Sequence, residues 1–172
     1  ANFGYLLTCR GSLDEAEDVL SRAVNLQNRV VGKSNPDSLV MANNLAKTVE
    51  LQGRLAEARQ MLIEVVALAA VSLPEDNWHT GRFRHNLAHC HTALGDLPAA
   101  EEQLLAAWDV LHAVLGEAHP ICCETGRALV EHYCSTGRPE LAKPYEESAA
   151  EDEPGGEAPG GEAPGGAAGA GG

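Results

Sequence analysis

The chain has 172 residues, 25 of them acidic and 12 basic, for a formal net charge of −13. That excess of carboxylates argues against a surface built for nucleic acid or anionic lipid, either of which needs basic charge. Aromatic residues make up only 4%, while Ala, Leu and Val are abundant, a mixture that favours helices closing on small residues over a β-sandwich. No run of about 18 apolar residues occurs, so no membrane-spanning helix is expected. No charged-then-apolar leader opens the chain, which starts at Ala1.

In chain order, the first signal is a repeat. Gly11, Gly53, Gly95 and Gly137 are spaced 42 residues apart, and five residues after each stands an alanine, Ala16, Ala58, Ala100 and Ala142. Leu13, Leu55 and Leu97 follow the first three glycines by two residues. Asn2-Phe3-Gly4, Asn44-Leu45-Ala46 and Asn86-Leu87-Ala88 are in the same register, as are Gly32 with Gly116 and Pro36 with Pro120. A single stride held at so many positions defines the organisation of the chain.

Each copy reads as two helices. After the glycine, apolar residues recur at helical spacing: Leu13, Ala16, Leu20, Ala23 and Val24 in the first copy, and Leu55, Ala58, Leu62, Val65 and Val66 in the second. The third gives Leu97, Ala100, Leu104, Ala107, Trp108 and Leu111. Such a stripe is one apolar face of an amphipathic helix. Ser12 with Glu15 predicts a capping box at the first of these helices. Asn35 before Pro36 predicts a capped start with proline at the first helical position. Gly32 and Gly116 suit helix C-termini, and the glycines between paired helices suit tight turns of positive φ. Two helices per 42 residues cannot bury their apolar faces alone, and stacking the copies buries them. The expected fold is therefore all-α, a right-handed α-solenoid of about four antiparallel hairpins over 1–150. The repeats fall at about 1–35, 36–77, 78–119 and 120–150.

The segment GSLDEAEDVLSRAVNLQNRVVGKSNPDSLVMANNLAKTVELQGRLAEARQML resembles the tetratricopeptide repeat (TPR). A stride of 42 rather than about 34, together with the NNLA and LGEAHP signatures, is similar to the kinesin-light-chain-like subclass. Departures are visible. Aromatic positions are mostly Leu, the loop from Ser72 to Trp78 carries Pro74 and Trp78 in place of glycine and proline, and Pro139 and Pro144 break up the last copy, which is expected to cap the array. The first copy begins inside its first helix, so the chain reads as the C-terminal part of a longer array. The segment LPEDNWHTGRFRHNLA also resembles C-terminal arrays of bacterial serine/threonine kinases and signalling proteins. The phosphate loop, HRD and DFG of a kinase do not occur in it.

The resemblance implies a concave groove lined by the first helix of each pair, in which a partner peptide binds. By register, the groove residues are Asn2 and Tyr5 in the first copy and Asn43, Asn44, Lys47 and Glu50 in the second. The third contributes Arg82, His85, Asn86 and His89, and the fourth Glu124, Arg127 and Glu131. An Asn amide both donates and accepts, so Asn2, Asn44 and Asn86 form a ladder able to pair with an extended backbone; alternatively they brace neighbouring helices. Lys47, Arg82 and Arg127 would select acidic side chains or a terminal carboxylate. The function implied is a protein–protein interaction scaffold, non-catalytic and cytoplasmic, with a protein or peptide partner, no nucleic acid, no membrane and no cofactor. One alternative is a regulatory region of a larger bacterial kinase.

A second alternative is a metal site on His85 and His89, four residues apart on one helix, with Glu131, Cys134 or the Cys122-Cys123 pair as further ligands. The pattern HExxH is absent, and groove-facing histidines would instead confer pH sensitivity near 6–7. Five cysteines, Cys9, Cys90, Cys122, Cys123 and Cys134, show no CxxC spacing and read as reduced, mostly core-packing thiols. The carboxylates Glu15, Glu17, Asp18, Glu101 and Glu102 lie on polar helix faces, where solvation accounts for them. No catalytic motif is present.

From Glu151 to Gly172 the chain has nine glycines, five carboxylates and no Leu, Ile, Val or aromatic residue. Such a tail buries too little apolar surface to offset its chain entropy and is expected to be disordered. Its removal should leave the thermal midpoint of the array nearly unchanged in a melting experiment, whereas a large drop would mean that the tail docks.

Overall fold

The computed structural model describes residues 12–150, so Asn2, Tyr5, Cys9, Gly11 and the tail lie outside the described residues. Among the described residues there is no strand. The chain forms α1 (Leu13–Val30), α2 (Pro36–Leu51), α3 (Leu55–Ser72), α4 (Trp78–Ala93), α5 (Leu97–Leu115) and α6 (Pro120–Ser135). Two 3-10 turns, Pro139–Leu141 and Lys143–Tyr145, and a short α7 (Glu146–Ala150) follow. Each helix packs on the next in sequence, and α2 also touches α4, the next but one. This is the nearest-neighbour contact pattern of an all-α solenoid.

One turn is repeated between paired helices. Gly53, Gly95 and Gly137 have φ of +83°, +78° and +74°, a conformation that side chains with a Cβ rarely adopt. Each glycine N–H donates three residues back, to Glu50, Thr92 and Cys134, at 2.8–3.2 Å. The next residue's N–H donates five back: Arg54 to Val49 at 3.2 Å, Asp96 to His91 at 2.9 Å and Arg138 to Tyr133 at 2.8 Å. These two bonds are the Schellman closure of α2, α4 and α6. They end α2, α4 and α6 in the same way and lead the chain into the next element.

The other loop also recurs. Asn35 Oδ1 accepts from Asp37 N at 3.0 Å and Asn77 Oδ1 from His79 N at 3.0 Å. His119 Nδ1 accepts from Ile121 N at 3.4 Å. Three caps one stride apart therefore start α2, α4 and α6; only Asn35 had been expected. The expected capping box of Ser12 and Glu15 does not form, because Ser12 makes no side-chain cap bond. Its ψ of 64° is not the extended backbone of a capping residue, whereas Asn35, Asn77 and His119 have ψ of 137°, 109° and 134°.

The core runs the length of the stack. Leu20, Leu39, Leu62, Phe83 and Leu87 fill one end, and Leu104, Trp108, Leu111, Leu129 and Tyr133 fill the other. The helix α4 joins them, giving Leu87 and Cys90 to one side and Ala88 to the other. The stride alanines Ala16, Ala58, Ala100 and Ala142 are all at most 1% exposed, as close helix contacts require. Gly81 marks another such contact: a Cβ there would lie 2.6 Å from Leu111 Cγ.

In the last copy Pro139 and Pro144 reduce the second helix to 3-10 turns, and Tyr145 packs edge-on against Trp108 at 5.1 Å. Cys90, Cys122 and Cys123 are buried, as core thiols should be, while Cys134 is exposed. Replacing Ala100 with Leu should overpack its contact and cost about 1–3 kcal/mol. The same change at exposed Ala113 should fall within about 0.5 kcal/mol of zero. Urea unfolding of the two variants checks this; equal effects would contradict the close approach.

Candidate functional site

The first helices of successive pairs are neighbours: α2 touches α4, and α4 meets α6 through His85 and Thr125, so residues one stride apart on them occupy equivalent places. A recess runs over this row. It is lined by Asn43, Asn44 and Lys47 of α2, Arg82, His85 and Asn86 of α4, and Ile121 and Glu124 of α6. A second recess adjoins it at His85 and is lined by His89, Thr92, Leu104, Ala128, Glu131, His132 and Ser135. Of the residues expected to line the groove, Asn2 and Tyr5 lie outside the described residues. Glu50 and Arg127 line neither recess.

Two of the remaining residues brace the wall. Asn43 is 2% exposed, and its Oδ1 accepts from Asn86 Nδ2 at 2.8 Å, which ties α2 to α4. The ladder is thus divided in role: the Asn43–Asn86 bond joins helices, while the Asn44 side chain has no partner among the described residues and lines the recess. Glu50 is also buried, with its side chain 4% exposed. Its Oε1 accepts from Lys47 Nζ at 3.1 Å and from His89 Nδ1 at 2.6 Å, and its Oε2 has no hydrogen-bond partner. Burial pushes the Glu50 carboxyl up, but the hydrogen bond from His89 and the charge of Lys47 outweigh it and hold the group below the usual carboxylate range. A buried charge of this kind needs its partners, and here they link α2 to α4 along the groove wall.

His85 is held by Thr125 of α6, with His85 Nδ1 3.0 Å from Thr125 Oγ1. That hydroxyl donates to Ile121 O at 2.7 Å, so it accepts from the imidazole. Nδ1 therefore carries the hydrogen, and Nε2 keeps its lone pair. Burial, with the charges of His89, Lys47 and Arg82 around it, pushes the His85 imidazole down to about 4. It is neutral at pH 7, so the sensitivity near pH 6–7 expected of groove histidines does not come from His85. Arg82 differs from Lys47 in having neither an ion pair nor a hydrogen-bond partner among the described residues. A guanidinium left unpaired beside two Asn amides offers bidentate donation to an incoming carboxylate.

Among the described residues, no three His, Cys, Asp or Glu side chains come together as a metal-ligand set. His85 and His89 are engaged by Thr125 and Glu50 instead. Cys90, beside Glu50, is pushed up to about 12 by burial and by that carboxylate, which keeps it a thiol. No described helix is long and apolar enough to cross a membrane. Sequence reading missed Ile121, Thr125 and His132. The stride could have placed His132, since it is the equivalent of Thr48 and Cys90, both buried.

Two family profiles described as tetratricopeptide repeat match the chain, over residues 1–70 and 80–121. No curated protein matches it significantly. Among solved structures, kinesin light chain nearly identical TPR-like repeats from Podosopora anserina superpose with a TM-score of 0.76 at 24% identity, covering 87% of this chain and 71% of that one. BtubC from P. vanneervenii gives 0.73 at 20% identity over 85% of this chain and 57% of its own length. A MamA R50E mutant gives 0.51 at 22% identity over 88% and 94%. At these identities the likeness is one of fold.

The neutral imidazole has a thermodynamic consequence. Between the ordinary histidine value of 6.5 and about 4, the unfolded chain binds more protons than the folded one at this site. The contribution of His85 to stability is therefore intact above pH 6.5 and falls on acidification, by at most about 1.4 kcal/mol per pH unit. Urea unfolding at stepped pH should show this slope in the wild type and lose part of it in His85→Gln. Identical slopes would contradict the burial of the neutral ring.

Proposed function

Because the chain belongs to the tetratricopeptide-repeat family, of the kinesin-light-chain-like kind, we propose that it is a non-catalytic protein–protein interaction scaffold. It holds an extended segment of a partner along the groove of α2, α4 and α6. The observation that carries this reading is the first recess. Side chains from three successive helices, set by one stride, converge there as Asn44, Lys47, Arg82, His85, Asn86 and Glu124. Rigid helices hold them ready, so little side-chain ordering is left for binding to supply.

The chemistry favours an acidic residue of the partner at this point. Arg82 has no partner among the described residues, Lys47 shares a single carboxylate with His89, and Asn44 and Asn86 can pair with the peptide backbone on either side. A charge-assisted hydrogen bond contributes about 1.5–3 kcal/mol, so one contact to Arg82 would change affinity by at least about tenfold. The alternative as a regulatory region of a larger kinase rests on sequence resemblance alone.

The test uses an arrayed library of ten-residue peptides with and without Asp or Glu. Wild-type protein should prefer acidic members, and the double variant Lys47→Glu, Arg82→Glu should lose at least about tenfold in affinity with far-UV circular dichroism unchanged. Equal binding by both proteins would remove the groove's role.

A further inference from the structure

Residues one stride apart change charge along the groove. At one equivalent place stand Lys47, His89 and Glu131; at another, Arg82 is followed by Glu124. The row is therefore basic at α2 and α4 and acidic at α6. The second recess lies between α4 and α6. Leu104 and Ala128 give it apolar walls, and His85, Glu131 and His132 give it polar ones. Glu131 is exposed and has no ion pair among the described residues. His85 Nε2 keeps a lone pair, because Nδ1 is bound to Thr125. The His132 side chain is 2% exposed, with Nε2 3.3 Å from Glu101 Oε2 and a buried Nδ1 that has no partner among the described residues. The Arg138 guanidinium approaches the same Nε2 at 3.3 Å, so the ring is held between Glu101 and Arg138 and serves the wall of the recess. The recess thus joins apolar walls to the Glu131 carboxylate and the free Nε2 of His85.

We propose that this second recess takes a lysine or arginine side chain, so that the bound segment carries a basic residue about four positions from its acidic one. The proposal rests on the groove reading above and specifies the partner further. A long aliphatic stem would cover Leu104 and Ala128 while its cationic head meets Glu131; an acidic side chain would be repelled there. The spacing follows from geometry. Helices in side-chain contact, as α4 and α6 are through His85 and Thr125, lie about 8–10 Å apart. Glu131 also lies seven residues beyond Glu124, the stride equivalent of Arg82, which adds about 10 Å along the axis. The span of about 13–15 Å takes about four residues of an extended peptide at about 3.3 Å each.

The experiment measures binding of the full chain, by fluorescence anisotropy, to ten-residue peptides in a Gly-Ser-Ala background. Each peptide carries one Asp and one Lys separated by one to six positions, and matched peptides carry norleucine in place of Lys. The wild type should bind best at a separation of about four and lose about fivefold or more with norleucine. Glu131→Gln should abolish the preference for Lys while keeping the preference for Asp, and Arg82→Ala should do the reverse. If Lys and norleucine peptides bind alike, or if separation has no effect while Asp still matters, the second recess is not a basic-residue subsite and the groove reading stands. If Arg82→Ala changes no binding at all, or no peptide binds, both fall together.

Discussion

The structure depends on a close approach between helices that is repeated at one fixed stride. Ala16, Ala58, Ala100 and Ala142 are almost fully buried, and the last three each follow a turn glycine by five residues. A small side chain lets two helix backbones come together, and the glycine turn before it aims the next helix at that contact. Turn and contact recur together from copy to copy. Ion pairs add little to this. Arg54 with Glu17 and Arg138 with Glu101 are equivalent pairs two strides apart, on partly exposed side chains, and such pairs contribute about 0–1 kcal/mol. They fit the register that packing has already set.

Regular placement is what turns three separate helices into one surface. The side chains of α2, α4 and α6 that are not spent on the core fall in parallel rows, and substitution along a row changes chemistry without changing position. Lys47, His89 and Glu131 illustrate this, as do Asn43, His85 and Arg127. Within the rows some polar groups serve the wall, as the buried Asn43 and Glu50 do, which leaves neighbours such as Asn44 and Arg82 for a ligand. Cross-helix bonds from Asn86 to Asn43 and from His85 to Thr125 hold the rows at a fixed distance. A partner would then meet a preset surface.

Much of the fold was legible in the residues because its determinants are local and periodic. The glycine turns, the alanine contacts, the Asn35 cap and the broken last copy at Pro139 and Pro144 all follow from residue type and spacing. Ser12 does not cap, because a capping residue needs extended backbone and its ψ is 64°. The site was legible only as a face. Whether a polar side chain on that face meets a ligand or a neighbouring helix depends on contacts across the stack, which a single helix does not encode. Asn43 and Asn44 are adjacent in sequence, yet one is a brace and the other lines the recess. The depressed pKa of His85 likewise arises from burial and from charges on two helices, beyond the reach of an i, i+4 pattern.

The central claim is that the rows of α2, α4 and α6 form the binding surface. Amide and side-chain NMR of the full chain, titrated with an acidic ten-residue peptide, tests it most directly. The account predicts that shifts concentrate at Asn44, Lys47, Arg82, His85 and Asn86, leaving exposed positions on α1 and α3 such as Leu26 and Ile63 unchanged. Shifts confined to α1 and α3, with the α4 signals still, would contradict it.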